Sequence, residues 1–222
     1  MRLSAFLSKK YNISRKYAKS LIQDKKVFAD EIPIHSDIAV DENTDYTAVI
    51  PVPEISYDLS NYLIKDCGEL VFFYKPAGMH TERLTPADLL CLDDIADREY
   101  PEHQLVSRLD YPVDGVVAAV KNGVERKSEQ KKYLAWVKGD FPDEAAGIWD
   151  VDASKRRHVN AFLSKDGELM LFTCLDRITL EQGIYSLVEV VLEKAHRHQV
   201  RAVLAAQGYP IVGDSLYENK LK

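Results

Sequence analysis

The chain reads as an α+β protein, with a small N-terminal module ahead of a larger domain. Three observations predict this class. Apolar residues repeat at helical spacing near both ends: Leu3, Phe6 and Leu7, then Ala18, Leu21 and Ile22, and finally Val200, Val203 and Leu204. Between them lie runs suited to strands, at 70–74, 116–120, 131–139, 168–175 and 184–192. Proline and glycine punctuate those runs, at Pro76 and Gly78 and at Pro112 and Gly115. The 222 residues suffice for one ordinary domain plus a small one.

Hydrophobic content of 46% and charged content of 29% fit a soluble globular protein. No apolar run approaches membrane-spanning length, and the N-terminus lacks the apolar core of a signal peptide, so no membrane partner is expected. Cys67, Cys91 and Cys174 are odd in number and far apart, which fits neither a disulfide framework nor a zinc site. A reducing, cytoplasmic compartment is the expectation. The net charge of −6 excludes a uniformly basic nucleic-acid binder, but the charge is unevenly spread.

Residues 1–26 hold eight basic side chains against one acid, Asp24. Ser14 suits the N-cap of a second helix, whose stripe is Ala18, Leu21 and Ile22. Arg15, Lys16 and Lys19 fall off that stripe, so the helical hairpin presents a cationic face suited to phosphates. An ordinary solvated amphipathic hairpin is the plainer reading of the same residues. After Lys26 the sign reverses, and no Lys or Arg follows until Lys65. Val27-Phe28 and Tyr46 to Ile50 read as short strands. Two prolines in Pro51 to Tyr57 mark a linker. The expected organisation is residues 1–50, a linker over 51–58, and a second domain over 59–222.

Leu70 to Tyr74 reads as a strand closed by the turn Lys75-Pro76-Ala77-Gly78. Thr85 as cap and Pro86 at the first helical position predict a short helix over Ala87 to Leu92. Leu105 to Lys121 then reads as strand, tight turn, strand. Asp110 sits at the mouth of that turn, two positions after Arg108. A carboxylate beside a cation there suits a nucleophile or general base, or simply a surface turn whose aspartate accepts backbone N–H bonds.

Lys131 to Gly139 is a further strand, and Tyr133 on it is either half-buried packing or a site residue. Lys155-Arg156-Arg157-His158 is a basic cluster suited to phosphate contact or to a solvated loop. Glu168 to Leu175 and Ile184 to Leu192 alternate well enough for half-buried antiparallel strands. The stripe at Val200, Val203 and Leu204 predicts a helix that Gly208 stops. His196 and His198 lack a third ligand and would splay on a helix, so no metal is expected.

Four of these stretches resemble, in order, the motifs of the RluA-type pseudouridine synthases. The Lys75 to Gly78 turn resembles the first, and Arg108-Leu109-Asp110 with Gly115 and Lys121 the central one. Lys132-Tyr133-Leu134-Ala135 falls in a stretch similar to the Lys-x-Tyr-x-Ala run, and His198, Gln199, Arg201 and Leu204 match the last motif. Gly208 to Tyr217 is similar to the family's closing stretch. Ser107, Val113, Asp114, Ala195, His196 and Val203 depart from the pattern. The connection from Lys121 to Lys131 is too short for the helix the family carries there. Residues 1–50 resemble the alpha-L (S4-like) RNA-binding motif, with Asp30-Glu31 where Asn-Gly is usual.

The resemblance implies a mixed, mainly antiparallel sheet with flanking helices and a central cleft. It implies RNA as partner, ribosomal RNA before transfer RNA, and no redox or metal cofactor; a monomer is the default expectation. Asp110 takes the role of catalytic carboxylate, Tyr133 lies against the uracil, and Arg201 pairs with Asp110 and keeps it ionised. Lys75, His198 and Gln199 are assigned to substrate or RNA contact, beside Arg15, Lys16 and Lys19, and Arg108 either meets phosphate or braces the turn. The target uridine would leave its stack to reach Asp110. Two alternatives stay open: a catalytically silent RNA-binding protein on the same fold, and a small-molecule hydrolase using Asp110 and His198.

Overall fold

The computed structural model describes residues 1–11, 13–41, 43–50, 56–84, 90–125, 130–154 and 159–218. The chain forms two compact units, Met1–Arg126 and Lys127–Lys222. Among the described residues no helix is long and apolar enough to cross a membrane.

The first unit begins with helices α1 (Leu3–Lys10) and α2 (Arg15–Gln23). Ser14 caps α2 as its sequence predicts, its hydroxyl accepting the Tyr17 N–H at 3.1 Å. Three short strands follow, β1 (Val27–Ala29), β2 (Ile32–Pro33) and β3 (Tyr46–Ala48), in the order β2-β1-β3. Asp30 and Glu31 form the β1–β2 turn with positive φ of 45° and 70°. That geometry favours Asn-Gly, so the acidic pair adopts it under strain. Leu3, Leu7, Tyr17, Leu21, Ile22, Val27 and Tyr46 give these elements a core of their own.

The same unit continues with β4 (Leu63–Asp66), β5 (Leu70–Lys75), helix α3 (Leu92–Glu99), β6 (His103–Leu105) and β7 (Gly115–Lys121). The sheet order is β4-β5-β7-β6. Val71 and Phe73 of β5 and Val117 and Ala119 of β7 alternate inward and pack with Leu92, Ile95 and Ala96 of α3. Of the helix expected over Ala87 to Leu92, only Leu90, Cys91 and Leu92 are described, and α3 begins at the last of them. Residues 85–89 lie outside the described ones, and the helix starts at Leu92, where Asp94 accepts the Cys91 N–H at 2.9 Å and closes the first turn. Acids at Asp93 and Asp94 also suit a helix N-terminus.

The second unit holds β8 (Lys131–Lys138), β9 (Glu144–Asp152), β10 (Asn160–Leu163), β11 (Glu168–Leu180), β12 (Gly183–Leu192) and helix α4 (Gln199–Ala206). Their order is β10-β9-β11-β12-β8. Val203 and Leu204 of α4 pack onto the inward residues Ala135, Val137, Met170, Phe172, Val188 and Val190. Gly208 ends the helix with a φ of 90°, as expected of a stop. β11 runs on to Leu180, past the Leu175 its alternation marks, because a bulge between Cys174 and Asp176 resets the register and lets the hairpin with β12 continue. β9 and β10 escape a periodicity reading, since Ala145-Ala146-Gly147 interrupts the alternation of β9. Pro51 to Ile55 of the expected linker and the basic cluster 155–158 lie outside the described residues.

Every ladder between named strands is antiparallel among the described residues, beside one isolated parallel bridge, His80 with Cys91. The fold is α+β with mainly antiparallel sheets, in the class the sequence predicts.

Candidate active site

Asp110 lies on the connection from β6 to β7. The two strands pair from His103 with Lys121 to Leu105 with Ala119, and Val106 adds an N–H bond to the Ala118 carbonyl at 2.9 Å. The chain then leaves the sheet. The expected tight turn is a longer loop with a β-turn inside it. Asp110 opens that turn, its carbonyl accepting the Val113 N–H at 3.0 Å. The chain re-enters the sheet at Gly115, whose φ of 144° suits glycine and whose position opposite Lys75 sets the β5–β7 register. The Asp110 side chain is half-buried.

A second segment, Gly78 to Arg83, runs alongside this loop. Gly78, at a φ of 79°, donates its N–H to the Tyr111 carbonyl at 2.8 Å. The rings of His80 and Tyr111 are in contact, centroids 4.5 Å apart and planes tilted by 42°. Thr81 Oγ1 bonds both backbone groups of Leu109. Glu82 takes Arg108 in an ion pair at 2.8 Å, so Arg108 braces this loop while 62% of its side chain stays open to solvent.

Lys75, expected at the RNA contact, lies at the inner end of β5. It is fully buried, and its ammonium donates to the carbonyls of Pro76 and Met79 at 3.0 and 2.9 Å. Burial lowers its pKa, against the opposing pull of the Asp114 and Asp110 carboxylates. The side chain therefore holds the turn in shape from inside and supplies positive charge behind the Asp110 loop. Its position at the end of an alternating strand is the signal for an inward side chain, since Val71, Phe73 and Lys75 share a face.

In the second unit, Tyr133 stands on β8 opposite Val190, on the face shared by Ala135 and Val137, and packs against the core. At the start of α4, His198 adopts a φ of 57° and its Nδ1 lies 3.0 Å from the Tyr217 hydroxyl. Gln199 is buried, and its Oε1 accepts the His196 N–H at 2.8 Å. The bond ties the chain entering α4 to the helix's first residue. Arg201 donates Nε to Asp214 Oδ2 at 2.7 Å and Nη2 to Asp214 Oδ1 at 3.0 Å. Asp214 is a carboxylate that sequence reasoning passed over, although Asp followed by Ser and Leu is a common turn signature. Burial pushes its pKa up, but Arg201 and the N–H groups of Leu216 and Tyr217 outweigh it and hold the carboxyl below its usual range.

Arg15, Lys16 and Lys19 are exposed on α2, which has no acid in its first turn. None of the three forms an ion pair among the described residues. Burial pushes the Asp37 pKa up, but the two bonds from Ser4, helped by the charges of Lys19 and Arg2, hold that carboxyl below its usual range.

The RNA pseudouridylate synthase family model matches residues 69–206, the stretch that carries Asp110, Tyr133 and Arg201. A Bacillus subtilis protein named as the uncharacterized RNA pseudouridine synthase YhcT is 26% identical over 192 residues, covering 79% of this chain and 62% of its own length. Ribosomal large subunit pseudouridine synthase D of Borreliella burgdorferi is 30% identical over 123 residues, covering 51% of this chain and 37% of its own. The chain thus spans less than two thirds of the length of both relatives. Among solved structures, human RNA pseudouridylate synthase domain containing 1 shares the fold, with a TM-score of 0.57 at 17% identity over 75% of this chain and 73% of that one.

Proposed function

The chain belongs to the RNA pseudouridylate synthase family, and from that membership we propose that it isomerises a uridine in structured RNA to pseudouridine, with Asp110 as the catalytic carboxylate. Ribosomal RNA is favoured over transfer RNA, in keeping with the name of the Borreliella relative. The observation that carries the reading is the placement of Asp110: a half-buried carboxylate opening a turn, held on both sides by the Gly78 to Arg83 segment, inside the matched stretch.

The reaction breaks the bond from uracil N1 to ribose C1′ and forms one from C5 to C1′. The proton on C5 leaves, and N1 gains one. Asp110 acts on the ribose side, where a carboxylate serves either as nucleophile or as base toward a sugar proton. Tyr133 faces the uracil and takes part in removing the C5 proton. Arg201 serves the carboxylate, its guanidinium oriented by Asp214. Residues 1–50 act as an alpha-L RNA-binding module, in which Arg15, Lys16 and Lys19 meet phosphates and Asp30-Glu31 repels them. The target base flips out to reach Asp110.

Chemical mapping of pseudouridine in total RNA from cells with and without the gene tests this. A position present only with the gene supports the reading and names the substrate. Identical maps leave a silent RNA-binding protein as the better account.

A further inference from the structure

We propose that Thr81 is the positioning residue for the Asp110 turn, its single hydroxyl fixing the residue before Asp110 through both of that residue's backbone polar groups. This rests on the reading of Asp110 as the catalytic carboxylate. Thr81 is 4% exposed. Its Oγ1 accepts the Leu109 N–H at 3.1 Å and donates to the Leu109 carbonyl at 2.9 Å. A hydroxyl has one proton and two lone pairs, so this pairing uses its donor fully and one acceptor site. The β-branched side chain has few rotamers, which makes the link stiff.

The link is part of a longer brace. Leu109 packs its side chain against the core formed by β5, β7 and α3, so its main-chain groups need partners away from water. One residue before Leu109, Arg108 is held by Glu82, and two residues after it Tyr111 is held by Gly78 and His80. On its other side the segment is anchored to α3: the Thr81 carbonyl accepts the Asp93 N–H at 2.9 Å, and the His80 carbonyl accepts the Leu92 N–H at 3.1 Å. Thr81 thus connects a core helix to the residue beside Asp110 by hydrogen bonds alone. Such definition matters for a reacting carboxylate, because a misplacement of about 1 Å costs on the order of a hundredfold in rate.

The test uses the full chain and RNA carrying tritium at uridine C5, isolated from cells that lack the gene. Tritium release reports loss of the C5 proton. Thr81→Val keeps the shape and removes both hydrogen bonds; Thr81→Ser keeps the hydroxyl. The expected result is a single-turnover rate at saturating enzyme at least about tenfold lower for Thr81→Val, with RNA affinity within about twofold of the parent. Thr81→Ser should recover to within about threefold of the parent rate. A role confined to stability would not separate rate from affinity in this way. Should Thr81→Val lose its cooperative unfolding transition, Thr81→Ala against Thr81→Ser makes the same comparison. Parental rate in Thr81→Val, or a Thr81→Ser variant as slow as Thr81→Val, overturns the proposal. Asp110→Asn run alongside separates the two ideas: its inactivity with an unimpaired Thr81→Val removes only the positioning role, whereas its full activity removes the reading of the site.

Discussion

Arg201 grips Asp214 with two guanidinium nitrogens, and both side chains are nearly closed to solvent, at 11% and 5% exposure. The Tyr217 ring lies 5.4 Å from the guanidinium carbon, and Asp214 also accepts the N–H groups of Leu216 and Tyr217. One carboxylate therefore fixes both the orientation of Arg201 on α4 and the closing turn of the described chain.

Removing that carboxylate leaves a desolvated cation without this partner. Asp214→Ala should lower the free energy of unfolding by about 3 kcal/mol, measured by urea denaturation. The pH dependence has a definite sign. The folded pKa of Asp214 lies below the ordinary 3.8, so its contribution is fully present above that value and is lost as pH falls through the folded pKa. The gap in stability between parent and Asp214→Ala should shrink on acidification below pH ~4.

Asp93 carries the opposite sign. Burial raises its pKa to about 7, with Asp97, Glu82 and Asp94 adding to the effect. The folded state holds this proton more tightly than the unfolded chain, so the contribution is full below 3.8 and declines as pH rises to about 7. Thermal unfolding of Asp93→Asn across that interval should lack this decline. A parent-minus-variant difference that stays flat with pH would show that Asp93 titrates normally.

Helices α1, α2 and α4 and strands β5, β7, β8, β11 and β12 were legible because their apolar residues keep the right spacing, with recognisable ends such as Ser14 before α2 and Gly208 after α4. The candidate site was legible only as residue types in order. Arg108-Leu109-Asp110 points to a loop carboxylate, but nothing in the sequence distance between Thr81 and Leu109, or between Arg201 and Asp214, announces that they bond. The burial of Lys75 and Gln199 was hidden for a related reason. Polar side chains are usually exposed, and only the fold shows that local carbonyls and N–H groups meet these two inside.

Phosphate contact by α2 has a salt signature. Replacing Arg15, Lys16 and Lys19 together by Ala should weaken RNA binding and flatten the dependence of log affinity on log salt by about 2 to 3. Titrations at several salt concentrations check this. An unchanged slope would remove these three cations from the RNA interface. Their exposure predicts a melting temperature close to the parent's.

Asp110 is half-buried at the surface of its loop, and replacement by Asn keeps its size while removing the negative charge. The most direct measurement is pseudouridine formation by the purified Asp110→Asn chain on RNA from cells lacking the gene, beside the parent and with folding checked by thermal unfolding. The account predicts a folded variant that binds this RNA and makes no pseudouridine. Product at the parental rate from the same variant would contradict it.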